Sequence, residues 1–83
     1  MKIQSFPMIS GTQVVMVRDE IATGFVVDND FNFIDNDEQE VFTIFEDINL
    51  AVDEANRIVK QHDYIECLIY DKDNKLIKHI APW

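Results

Sequence analysis

The stretch VFTIFEDINLAVDEANRIVKQHDYIECLIYDKDNKLIKHI, residues 41–80, decides the fold, because three periodicities follow one another in it without a gap. Val41 to Phe45 is a short apolar run, Ile48 to Val59 carries a helical stripe, and Tyr64 to Ile80 reads as two strands joined by a turn. Strand, helix and hairpin in that order define a small α+β fold.

The helix is expected to start with Asp47 as its N-cap, whose carboxylate accepts from free backbone N–H groups and whose charge suits the positive end of the helix dipole. Thr43 with Glu46 also fits a capping box, which leaves an earlier start open. On a helical wheel Ile48, Ala51, Val52, Ala55, Ile58 and Val59 fall in one stripe, while Asp53, Arg57, Lys60 and Gln61 face the other way together with Leu50. Lys60 and His62 complement the negative end.

After the helix, Ile65, Cys67 and Ile69 alternate with Tyr64, Glu66, Leu68 and Tyr70, the pattern of a strand in the middle of a sheet. Asp71-Lys72-Asp73-Asn74 closes a hairpin, with Asn74 able to take the left-handed conformation. Two registers are open. A four-residue loop sets Cys67 against Lys78; a three-residue loop with a bulge at Asn74 sets it against His79.

Upstream the pattern is looser. Lys2 to Phe6 reads as a first strand stopped by Pro7, and Ser10-Gly11 as a turn. Thr12 to Arg18 and Ile21 to Val27 make an antiparallel pair about Asp19-Glu20, a poor tight turn because neither residue readily enters positive φ, which leaves a wider turn open. Asp28-Asn29-Asp30 is a better turn, leading into a short strand at Phe31 to Ile34 whose Phe31 and Phe33 share one face. Asp35 to Glu40 is a polar, mostly acidic surface loop. The fold expected is one α+β domain over residues 1–83. It has an antiparallel or mixed sheet of about five or six strands, in the order β-β-β-(β)-β-α-β-β, with the helix on one face.

Composition bounds the function. A chain of 83 residues buries roughly 60 to 65% of its unfolded surface. Its 47% apolar content, with six Phe, argues against intrinsic disorder. Sixteen acidic against seven basic residues give a net charge of −9, which repels nucleic-acid phosphates and anionic membranes and favours a basic protein partner. No signal peptide or span-length apolar window is expected, and a lone Cys67 allows no internal disulfide, so a cytoplasmic setting fits best.

Chemistry has no clear carrier. Cys67 with His79 is the one conceivable nucleophile and base, yet Cys67 sits between Ile65 and Ile69 on the expected core face, where a thiol is inert. Asp28, Asp30 and Asn32 have the spacing that opens a calcium loop, but Phe33 stands where Gly is needed and Gln39 where a closing Glu belongs. One Cys and two His cannot build a structural zinc site, and two scattered Gly residues cannot cradle a phosphate or dinucleotide cofactor.

The residues therefore point to a non-catalytic acidic binding module, immunity-like or inhibitor-like, that needs no cofactor or metal. Asp35, Asp37, Glu38 and Glu40 would meet the basic partner, while Tyr64, Leu68 and Tyr70 offer apolar anchors on the outer strand face. The alternatives are a calcium- or small-ligand-binding domain using the acidic loop, and a structural homodimer that completes its sheet through an exposed edge.

Overall fold

A computed structural model describes residues 5–83. Its elements are β1 (Val14–Glu20), β2 (Val26–Val27), β3 (Thr43–Phe45), α1 (Ile48–Gln61), β4 (Ile65–Tyr70) and β5 (Leu76–Ile80). Together they form a five-stranded antiparallel sheet with the helix packed on one face, an α+β fold. Strand β1 is central, paired along its length with β4, which in turn pairs with β5. On its other side two short strands share one edge end to end: β3 lies against Val14 to Met16 and β2 against Arg18 and Asp19.

Burial on both faces explains why β1 opens on the unbroken run Val14-Val15-Met16-Val17 and does not alternate. Val14 and Met16 join the helix-side core with Ala51, Ala55, Ile58, Val59, Ile65, Cys67 and Ile69. Val15 and Val17 point the other way, opposite Tyr70 and Leu68.

The helix follows its sequence signals. The Asp47 side chain accepts from the Leu50 N–H at 3.0 Å, and the stripe of Ala51, Ala55, Ile58 and Val59 is buried while Leu50 is half exposed. Ile48 lies at the margin of the stripe and is partly exposed, and His62 closes the C-terminus with its N–H on the Ile58 carbonyl.

Four expectations require correction. First, the β1–β2 connection is wider than a turn about Asp19-Glu20. Both residues lie within β1, and Ile21 prolongs the β1–β4 ladder through a bond to the Tyr64 carbonyl, so only Val26 and Val27 return along β1. The chain reverses where positive φ is available, at Gly24 (φ 73°), whose N–H bonds the Glu20 carbonyl.

Second, Phe31 to Ile34 is no strand; Phe33 makes a single bridge to Val27. The Asp28 carboxylate accepts from the N–H groups of Asp30 and Asn32, and this tight reversal places Phe31 at φ 67°. Phe31 then stacks on His62 with ring centres 4.1 Å apart, whereas Phe33 packs edge-on to Phe25, so the two do not share a face.

Third, the hairpin takes neither expected register. Cys67 stands opposite Ile80, Leu68 opposite His79 and Ile69 opposite Lys78, but Tyr70 opposes Leu76, leaving Ile77 as the extra residue of a bulge. Asn74 does take positive φ, at 58°. The Cys67–His79 pair therefore does not form; the two side chains point to opposite faces of the sheet.

Fourth, Val41 to Phe45 narrows to Thr43–Phe45, because Val41 and Phe42 fill the opposite face of the sheet before pairing begins. The first strand expected at Lys2 to Phe6 falls largely outside the described residues, and Phe6 itself lies in no strand. Among the described residues no helix is long and apolar enough to cross a membrane.

Candidate binding groove and acidic loop

The sheet face turned away from the helix has no second layer of regular structure among the described residues. Aromatic side chains from loops cover part of it: Phe6 packs edge-on to both Phe42 and Tyr70, with ring centres 5.8 and 6.1 Å apart, and Phe25 packs edge-on to Phe33 at 6.5 Å. Between these pairs runs an apolar groove of about 1090 Å³, floored by Val17 and Tyr70 and walled by Phe6, Phe25, Val26, Phe33, Ile34, Val41 and Phe42. Phe25 and Phe33 remain more than half exposed, so apolar surface is presented to solvent.

One wall of the groove belongs to the acidic loop, since Ile34, Asn36, Gln39 and Val41 all line it. The loop is built around two amide side chains. Gln39 donates to the Asp28 carboxylate (2.7 Å) and the Phe33 carbonyl (2.9 Å), and accepts from the N–H groups of Asp35 and Asn36. Asn29 binds the other end: its N–H reaches the Glu40 carbonyl, its side-chain amide donates to the Phe42 carbonyl, and its oxygen accepts from Arg18 at 2.7 Å.

Arg18 is the anchor beneath this loop. It is only 5% exposed, donates also to the Thr43 hydroxyl at 3.0 Å, and lies over the Phe31 ring at 5.9 Å, while its Nε has no hydrogen-bond partner. Among the described residues no carboxylate forms an ion pair with it, and burial pulls its guanidinium below the usual range.

Asp35, Asp37, Glu38 and Glu40 all lie on this loop, beside the groove, and all four are exposed. Tyr70 lines the groove, and Leu68 is half-buried on the same face opposite Val17 and His79. Tyr64 does not join them: it precedes β4 and packs edge-on to His62 at the end of the helix. Nothing in the sequence joins Phe6, Phe25, Phe33 and Phe42 in one site, because an aromatic in a loop has no period that fixes its face.

The loop also forms a polar hollow of about 420 Å³ bordered by Asp28, Asp30, Glu38 and Glu40. Both Asp28 oxygens are occupied by the loop's own donors. Burial pushes the Asp28 carboxyl up, but bonds from Gln39, Asn32 and Asp30 outweigh it and hold the group below the usual carboxylate range. The residue that opens the calcium-like spacing is thus a structural ligand of its own backbone. No group of three or more His, Cys, Asp or Glu among the described residues is arranged to hold a metal ion.

Cys67 is fully buried against the helix, and burial pushes its thiol up to about 11. A thiol in that state is protonated at neutral pH and supplies no nucleophile. Compared with protein-family models, curated proteins and solved structures, the chain matches none.

Proposed function

We propose that the protein is a non-catalytic binding module that takes a basic segment of a partner protein, in the manner of an immunity or inhibitor protein. Apolar side chains of the partner enter the aromatic groove, and its cationic side chains lie along Asp35, Asp37, Glu38 and Glu40. The observation that carries this reading is that residues 34–41 supply both a groove wall and the acidic rim. Apolar burial then provides affinity while the net charge of −9 steers encounter. A lone buried thiol without a bridge suits a cytoplasmic setting. The outer edge of β5, unpaired among the described residues, is a weaker candidate for self-pairing, because Lys75 and Lys78 on the hairpin resist edge-to-edge association.

The test replaces Asp35, Asp37, Glu38 and Glu40 by Asn, Asn, Gln and Gln, which preserves shape and acceptor oxygens. With an Arg- and Phe-rich peptide as probe, the on-rate is expected to fall several-fold and to lose much of its salt dependence, with the melting temperature nearly unchanged. An unaltered on-rate moves the interface off the loop, and a lowered melting temperature makes these carboxylates structural.

A further inference from the structure

On the same face, three titratable side chains stand in a row on neighbouring strands. The β1–β4 ladder sets Asp19 opposite Glu66, and the β4–β5 ladder sets His79 opposite Leu68, diagonal to Glu66. The Asp19 and Glu66 carboxyls are cross-strand neighbours on one face, and His79 Nε2 lies 2.5 Å from Glu66 Oε1. Asp19 is only 7% exposed, and its Oδ1 is buried with no partner.

Two ionised carboxylates in contact repel, and a buried anion with an unsatisfied oxygen is costly. A single proton removes both penalties. Protonated Asp19 donates to Glu66, its free oxygen becomes a neutral acceptor, and Glu66 keeps the charge that faces His79 Nε2. The titratable groups facing Asp19 are Glu66 from β4 and His79 from β5; β2 offers only Val26, and Arg18 and Cys67 point to the helix side.

Strand β2 depends on this corner. It is two residues long, its ladder with β1 covers only Arg18 and Asp19, and it is further held by the Glu20 N–H bond to the Phe25 carbonyl at 2.9 Å and by the single bridge from Val27 to Phe33. Phe25 and Val26 are a wall of the groove. We propose that Asp19, Glu66 and His79 form a proton-operated latch. One proton shared between the carboxyls holds the β1–β2 corner and sets the Phe25–Val26 wall, and its loss puts adjacent carboxylates in repulsion and loosens that wall.

The latch acts near neutral pH. Burial, followed by the hydrogen bond and charge of Glu66, pushes the Asp19 carboxyl up to about 7 from its ordinary value of 3.8. A folded-state value above the unfolded one means that the stabilisation is complete below about pH 4 and is lost as pH rises through about 7. This inference does not depend on what the groove binds.

The experiment follows the Asp19 carboxyl carbon by NMR from pH 4 to 9, and amide exchange over residues 24–27 at pH 6 and pH 8, corrected for intrinsic rates, in the wild type and in Asp19→Asn. The substituted amide keeps a donor toward Glu66 but cannot ionise, and the variant retains His79. The expected result is an Asp19 midpoint near 7 and a several-fold loss of protection in the wild type that is largely absent in Asp19→Asn. A midpoint below about 5 in the wild type, or equal losses in both proteins, overturns the latch. If Asp19→Asn does not fold, the wild-type carboxyl titration decides alone.

Discussion

Ile58→Ala is expected to lose about 2 to 4 kcal/mol in urea unfolding, while Leu50→Ala loses less than about 1. Ile58 is 1% exposed and belongs to the core formed by the helix with Ile65, Cys67 and Ile69, so truncation removes buried methylenes and leaves a cavity that a sheet on one side cannot fill. Leu50 is half exposed on the far side of the same helix. Net stabilities of small domains are about 5 to 15 kcal/mol, so the first loss is a large fraction of the total and the second is minor. Equal losses in the two variants would show that the helix packs through a different face.

Arg18→Ala is expected to cost about 3 kcal/mol and to free the acidic loop. The guanidinium bonds Asn29 and Thr43 and lies over Phe31, so its removal leaves a part-buried Asn29 oxygen without its donor, empties space between β1 and the loop, and takes the cation from the Phe31 ring. A hydrogen bond to a charged donor contributes roughly 1.5 to 3 kcal/mol, and truncating a buried side chain adds a cavity cost. The loss has a local signature: the Asn29 N–H bonds the Glu40 carbonyl, and its exchange should accelerate well beyond that of the β1–β4 ladder. Arg18→Lys should rescue only part of the stability, since an ammonium has donors for Asn29 and Thr43, both served here by Nη1, but lacks the flat guanidinium that lies over Phe31. A melt of Arg18→Ala within about 0.5 kcal/mol of the wild type would show that the arginine is not an anchor.

The parts of this fold legible in the sequence are those where one side chain or one period decides the outcome. The stripe from Ala51 to Val59, the Asp47 cap, the Ile65, Cys67 and Ile69 face and the left-handed Asn74 all stand where residue type alone places them. The β4–β5 register was not legible, because the extra residue at Ile77 is set by backbone geometry beyond a plain four-residue turn. Asp19 and Glu20 read as a turn because charge suggests exposure, yet both lie in β1, where Asp19 is buried beside Glu66.

The candidate site was half legible for a similar reason. Asp35, Asp37, Glu38 and Glu40 announce a surface loop by composition. The aromatic wall of Phe25, Phe33 and Phe42 arises only once the loop is folded over the sheet by Asp28, Asn29 and Gln39. Arg18 carried one signal in advance: a cation at the end of an unbroken apolar run on a central strand must find partners or stay unpaired under cover.

The claim that groove and acidic loop form one recognition surface is tested most directly by selecting binders from an unbiased library of short random peptides and mapping the best of them on the isotopically labelled protein by amide shifts. The account predicts cationic peptides bearing aromatic or aliphatic side chains. Their shifts should concentrate on residues 33–42 together with Phe25 and Tyr70, and their binding should weaken as salt rises. Acidic or uncharged winners, or shifts confined to the β5 edge or to Tyr64 at the helix end, would contradict it.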